Sequence, residues 1–225
     1  PLPYPDADRL VRVSPGQNFN ATLAARMDER VPALAQATGI AAFSFTVTGE
    51  GQPAELTAQV VEPDFFDVFR TRPARGRAFT EAERGDAVVI ISDELWRTRF
   101  GGADDIIGRR IPLDGYSGSG TETGPEVRQV IGVVPKGFEP PLAEPGARVD
   151  LWVPLRAPAA SVAADSTWYV SVVIGRLRDG ATREEAVAGI RARRQLMPDE
   201  WFETPKPMLY EAARRASVWI DMIER

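Results

Sequence analysis

Apolar and polar positions alternate over Leu10-Val11-Arg12-Val13, between Pro5 and Pro15-Gly16, and predict a short strand. Leu23, Met27, Val31 and Leu34 then recur at helical spacing behind Asn20, a residue suited to an N-cap, so residues 20–38 read as a helix. Pro32 lies inside that pattern and should kink the helix or start a new turn, because it lacks an N–H and crowds the preceding turn. Thr38-Gly39 closes the segment. Ala41, Phe43, Phe45 and Val47 alternate again as a half-buried strand, and Gly49-Glu50-Gly51 turns the chain into Leu56–Val61, its predicted hairpin partner. Pro63 opens one turn of helix bearing Phe65, Phe66, Val68 and Phe69. Four apolar residues in five read either as an anchor that seats one lobe on another or as an ordinary core cluster.

The middle of the chain is richer in Gly and Pro. Ala87–Ile91 reads as a buried strand, and Ser92 caps a helix whose Asp93 and Glu94 suit the positive end of its dipole. Leu95, Trp96 and Phe100 form its apolar side and Gly101-Gly102 ends it. Residues 106–113 predict a turn and a strand, with Val127–Val134 as hairpin partner. The stretch Gly115–Gly124 between them reads as a flexible polar loop. It is no phosphate cradle, since no Gly-Lys-Ser/Thr follows and it joins two strands. Residues 135–148 read as irregular coil, Asp150–Leu155 as a short strand, and Pro158–Asp165 as a linker.

Regular pattern returns with a long strand over Trp168–Leu177, a turn at Asp179-Gly180, and a capping box at Thr182-Arg183-Glu184-Glu185. Val187, Ile190 and Met197 give the following helix its apolar side, and Pro198 stops it. Lys206–Tyr210 reads as an edge strand and Ser217–Arg225 as a polar, helix-like end. The expected fold class is therefore α+β. The two ends read β-α-β-β and β-α-β, which suggests a split ferredoxin-like βαβ lobe with a mostly β lobe inserted in it. No internal repeat is visible.

Composition narrows the function. With 225 residues the chain can bury roughly 70% of its unfolded surface and needs no staple. The 44% apolar and 26% charged fractions are those of a globular protein. A net charge of −5 gives no support for a nucleic-acid partner. Cysteine is absent, which excludes thiol catalysis and disulfides; histidine is absent too, which excludes Ser-His-Asp machinery, His-bearing metal sites and imidazole proton shuttles. Only Lys136 and Lys206 are lysines. The longest β-like apolar runs, Val88–Ile91 and Val172–Ile174, fall far short of the ~18 residues of a spanning helix. Pro1 is not an initiator Met, and the chain is read as a piece of a longer one.

Candidate acid/base or metal carboxylates are Glu81, Glu83 and Asp86, then Asp93 and Glu94, then Asp104 and Asp105. None has calcium-loop spacing, and cap or solvated-loop roles outweigh chemistry for all of them. Asn20-Ala21-Thr22 matches a glycosylation sequon by chance or as a helix start. Trp96, Trp152 and Trp168 sit in apolar patterns and read as core, while Trp201 and Trp219 suit contacts. No catalytic, cofactor-binding or metal residue and no cofactor is expected.

A series of segments then carries a family resemblance. It comprises Leu2–Val11, Val61-Glu62-Pro63-Asp64-Phe65-Phe66-Asp67-Val68-Phe69, Arg72-Pro73-Ala74-Arg75-Gly76-Arg77-Ala78-Phe79, and Val88–Ser92 with Leu95–Gly102. Ile107-Gly108-Arg109, Val130-Ile131-Gly132-Val133-Val134-Pro135-Lys136-Gly137-Phe138, Asp150–Leu155 and Gly175–Thr182 complete it. In order and spacing these resemble the MacB-like periplasmic core domain of FtsX-like ABC-transporter permeases, of the duplicated orphan permease type, from residue 2 to about 190. Residues 200–225 match poorly.

The resemblance implies a discontinuous Porter-like lobe (1–70 and 160–225) and an inserted Sabre-like β-rich lobe (71–159). It implies a non-enzymatic, extracytoplasmic domain tethered to the inner membrane by flanking transmembrane helices of the same full-length chain. A cytoplasmic ABC ATPase drives it indirectly, and another permease copy or a periplasmic partner receives the movement in efflux or export. Crossings near 70–76 and 157–166 are the expected hinges. Two alternatives stand beside this reading: an extracytoplasmic module capturing a peptide, sugar or lipid between its lobes, and a carboxylate hydrolase.

Overall fold

The computed structural model describes residues 4–14, 19–20, 27–49, 51–117, 121–138, 148–155, 169–170, 172–194 and 219–222. Its organising element is β3 (Leu34–Val47), a strand of 14 residues with two sets of neighbours. Along one edge, its second half pairs antiparallel with β4 (Ala54–Val61), from Ile40↔Val61 to Val47↔Ala54. Along the other edge, its first half pairs with β11 (Val172–Leu177) and its last residues pair with β7 (Arg110–Ser117).

Those last pairings close a ring. Strand β4 lies parallel to β9 (Leu151–Pro154), β9 antiparallel to β6 (Val88–Ile91), and β6 parallel to β8 (Thr121–Val133). Strand β8 pairs back onto β7, which returns to β3. The first half of β3 instead continues an open sheet, in which β11 pairs with β1 (Leu10–Ser14) and β1 with β12 (Trp219–Met222). Ring and open sheet thus share one unbroken strand. Short β5 (Arg75–Gly76) adds to β8, and β2 (Phe19–Asn20) pairs with β10 (Tyr169–Val170) separately.

The continuous apolar runs have a simple cause: strands β6, β9 and β11 are buried on both faces. Val89, Ile91, Leu151 and Val153 join Phe45, Val47, Leu56, Leu113 and Val130 in one cluster inside the ring. Their neighbours Ile90 and Trp152 point the other way, into a second cluster with Phe65, Phe66 and Phe69. Helix α3 (Asp93–Phe100) adds Leu95, Trp96 and Phe100 to the first cluster, and α4 (Arg183–Arg194) adds Ala186 and Ile190. Both helices begin as their sequences predict. Ser92 Oγ accepts the Leu95 N–H at 3.0 Å, and Thr182 and Glu185 exchange side-chain-to-backbone hydrogen bonds of 2.9 and 3.2 Å. Gly101 ends α3 with φ +62°, the left-handed region that favours glycine.

Four sequence expectations are corrected. The helix predicted over 20–38 is confined, among the described residues, to α1 (Met27–Arg30); Thr38 and Gly39 lie inside β3, not at a helix end. Pro32 halts the helix, and the ladders to β4 and β11 then outweigh helical spacing. The polar loop at 115–124 is largely hairpin, with the β7–β8 ladder reaching Ser117↔Thr121. The long strand over 168–177 serves two sheets, as β10 and β11. The helix-like C-terminal segment contains β12, which covers the edge of β1. The expected linker at 158–165, the edge strand at 206–210, and Trp168, Trp201 and Met197 lie outside the described residues.

Candidate functional site

Helix α2 (Phe65–Val68) is the centre of a cluster of seven aromatic side chains. It starts directly beyond β4, where the Phe65 N–H donates to the Glu62 carbonyl at 3.0 Å, and Phe65, Phe66 and Phe69 are almost fully buried. Phe65 meets Phe66 edge-on at 5.0 Å and Phe69 at 4.9 Å. Tyr4, from the segment ahead of β1, lies 5.1 Å from Phe69. Phe66 reaches Phe79 at 6.1 Å and Trp152 of β9 at 6.1 Å. Phe138 closes the set, 5.6 Å from Trp152 and 5.9 Å from Phe66. Its Pro135-Lys136-Gly137-Phe138 turn, closed by a 3.0 Å hydrogen bond from Phe138 N–H to the Pro135 carbonyl, swings the ring back from the end of β8. The Trp152 indole N–H donates to buried Gln59 Oε1 at 2.9 Å, so its polar edge is satisfied too.

The far end of α2 is held by Arg176 of β11, which is only 1% exposed. Its Nε donates to the Val68 carbonyl at 2.8 Å, one of the carbonyls a helix end leaves without an internal partner. Its two terminal nitrogens donate to the Asp6 carbonyl at 2.9 Å and the Pro5 carbonyl at 3.2 Å. One guanidinium therefore joins the segment ahead of β1, the end of α2 and the C-terminal part of β11. Burial, and then the like charges of Arg70 and Arg9, depress its pKa from the usual guanidinium range.

A second tie lies beside the first. Among the described residues, Asp6 (φ 48°) and Arg70 (φ 50°) are the non-glycine residues with left-handed backbone, and their side chains form an ion pair. Arg70 closes α2: the Thr71 N–H reaches back to the Phe66 carbonyl at 3.0 Å. Two strained residues that face each other across one contact mark a place where geometry is imposed by its surroundings. Arg9 adds a third tie, donating to the Leu177 carbonyl and pairing with Asp179.

At the near end of α2 sit two acids, Glu62 fully buried and Asp64 partly buried. Glu62 pairs with Arg84, which also pairs with Glu81 in the turn that follows Thr80. Asp64 has a carboxyl pushed up to about 7, by burial first and by the Glu62 charge second. Thr38 opposes that rise, although neither its Oγ1 nor Asp64 Oδ1 makes a well-formed hydrogen bond among the described residues.

The carboxylates singled out from sequence are dispersed. Glu83 accepts from the Thr80 N–H and pairs with Arg77, which lowers its pKa; Asp93 pairs with Arg97 within α3, Glu94 with Arg148, and Asp104 with Arg75. Asp86 and Asp105 are exposed. Trp96 and Trp152 are buried, as their patterns imply, and Trp219 lies in β12. Arg176, Glu62, Asp64 and the Asp6–Arg70 pair were not singled out. Their signal is a charge set in an apolar run: Arg176 in Val-Val-Ile-Gly-Arg-Leu, and the acids on either side of Pro63 before a double Phe.

Comparison with known proteins agrees with this architecture. Residues 2–193 match the family described as MacB-like periplasmic core domain. The chain belongs to that family, the extracytoplasmic domain of MacB-like ABC-transporter permeases. Among solved structures it is similar to the extracellular domain of the noncanonic ABC-type transporter YknZ from Gram-positive bacteria. That match has a TM-score of 0.59 and 16% identity, over 86% of this chain and 95% of that one. It is similar also to the periplasmic region of MacB from Actinobacillus actinomycetemcomitans (TM-score 0.59, 12% identity, 96% and 89% covered). A domain of a putative permease from Porphyromonas gingivalis matches with TM-score 0.56 and 19% identity, 88% of each chain covered. No curated protein matches the sequence.

Proposed function

We propose that this domain relays ATP-driven movement from transmembrane segments of its own permease chain to a substrate or a partner protein outside the membrane. The observation that carries the reading is the Arg176 clamp. It locks Pro5 and Asp6, which the family resemblance puts just beyond a first membrane helix, onto α2 and β11. Displacement of the lead-in is then delivered to the aromatic cluster, and through Trp152 and Phe138 to β9 and the end of β8 in the ring. The exits support the same reading. Strand β1 begins at Leu10, and antiparallel β12 ends at Met222 beside Val11, so the chain before one and after the other leaves at one end of the sheet. Among the described residues no helix is long and apolar enough to cross a membrane.

In this reading the open sheet, with β3 and β4, belongs to the Porter-like lobe (1–70 and 160–225), the remaining ring strands β6–β9 to the Sabre-like lobe (71–159), and the β3–β7 and β4–β9 pairings that join them make their relative motion a twist. On the same reading the domain makes and breaks no bonds: the rings around α2 pack on one another, and Glu81, Glu83, Asp93, Glu94 and Asp104 are engaged in ion pairs. A cytoplasmic ATPase supplies the energy, and another permease copy or a periplasmic protein is the recipient.

The test is a split between two activities. In the full-length permease with its ATPase, Arg176→Gln should leave basal ATP hydrolysis within about twofold and lower transport at least tenfold. Arg70→Gly, which removes only a half-exposed ion pair worth up to about 1 kcal/mol and relieves a left-handed arginine, should keep both. Full transport by a folded Arg176→Gln protein counts against the relay.

A further inference from the structure

The relay makes no use of the buried acids at the near end of α2. Glu62 is 2% exposed, and one of its oxygens is bound to Arg84 while Oε1 has no hydrogen-bond partner among the described residues. Asp64, two residues on, is partly buried, and its inward Oδ1 makes no well-formed hydrogen bond among the described residues. Thr38 of β3, fully buried, brings its hydroxyl to the Asp64 carboxyl, and that hydroxyl makes no other well-formed hydrogen bond among the described residues. The charges that reach this corner from every element against it are Arg84 and Glu81 from the turn after Thr80, and Asp28 from α1. Arg178 acts on Asp28 from the far side. One guanidinium thus faces one fully and one partly buried carboxyl, with two further acids beyond. Arg84 stays charged: burial works against it, but Glu81 and Glu62 outweigh burial. The arithmetic leaves one negative charge in excess if both Glu62 and Asp64 are ionised, and burying an uncompensated carboxylate is strongly unfavourable.

We propose that Glu62 and Asp64 hold one proton between them, and that this proton is a latch fastening the corner of β3, β4, α2 and the Glu81–Arg84 turn. With the proton bound, one carboxyl is neutral and the other is matched by Arg84. When it leaves, two negative charges, one fully and one partly buried, lie at the N-terminal end of the aromatic helix, and water must enter or the corner must open. The device belongs to the domain itself and does not rest on the relay reading.

The sign follows from linkage. The pair's carboxyls are both raised by burial, Asp64 from 3.8 to about 7. Between those values the closed state binds a proton that the open state does not. Closure is therefore complete below pH ~4 and weakens as pH rises through 7. One such proton makes the opening constant climb on the order of fiftyfold between pH 5 and pH 7.

Two measurements on the 225-residue chain decide it. Carbon-detected NMR of the side-chain carboxyls should show a midpoint near 7 for Asp64 and one raised above the usual glutamate range for Glu62. Amide exchange at Phe65–Phe69, corrected for the intrinsic pH dependence, should speed up tens of fold from pH 5 to 7 in the wild type and stay flat in Asp64→Asn, which mimics the protonated form. Midpoints below 5 for both groups overturn the proposal, and that holds even if Asp64→Asn does not fold. An exchange rate that does not change with pH in the wild type, or rises equally in the variant, overturns it as well.

Discussion

Arg176→Met should lower the unfolding free energy by about 2–4 kcal/mol, read as a fall in the urea midpoint with an unchanged slope. Methionine replaces the aliphatic stem but stops short of the guanidinium's outer atoms, so a small void is part of the cost. The larger part comes from carbonyls left without donors. The Val68 carbonyl bears most of it, because α2 ends inside the core, whereas Pro5 and Asp6 are exposed and their carbonyls can turn to water. Removing a cation from beside Arg70 and Arg9 offsets a little of the loss. Arg176→Lys should recover only part of it, since one ammonium cannot span three carbonyls in the fixed geometry of a guanidinium. A variant as stable as the wild type would show that the clamp holds nothing.

The second large effect is expected at Phe65. Phe65→Ala should cost about 3–5 kcal/mol, the range for emptying a ring-sized site in a packed core. Phe65 is fully buried and borders Phe66, Phe69 and Phe138, so its loss opens a void that three rings cannot fill. Phe138→Ala makes the comparison useful. That ring is only partly buried and sits on a turn that can relax, so its removal should cost about half as much. Equal costs would mean that the cluster is loosely packed and unsuited to passing displacement from α2 to β9.

Much of this architecture is legible in the chain itself. Strand β1, the hairpin of β3 with β4, the double-Phe helix and the caps at Ser92 and Thr182 each rest on neighbours within a few residues, and local pattern reports them. The first half of β3 does not. Leu34, Ala37, Ile40 and Ala41 serve two buried faces, so alternation vanishes, and their spacing continues the helical series begun at Leu23. Strand β12 has no local signature, because what makes it a strand is the free edge of β1, some 200 residues away. Ring closure depends on the parallel pairs β4–β9 and β6–β8, whose partners are distant in sequence and leave no turn between them. The family resemblance found the right motifs, Gly175-Arg176-Leu177 among them, but not their roles. A charge in an apolar strand reads as an edge or an error until the three carbonyls it serves are seen together.

The relay itself is tested most directly by distance. Spin labels at exposed Asp8, Asp67 and Asp114, introduced in pairs or singly into the full-length permease in lipid nanodiscs, report on the lead-in, α2 and the ring. If the relay operates, the Asp8–Asp67 distance stays narrow and unchanged between nucleotide-free and ATP-trapped states, while Asp114 shifts relative to labelled lipid headgroups. An Asp114 label that keeps its place through the ATP cycle, or one that moves while the Asp8–Asp67 distance broadens, would contradict it.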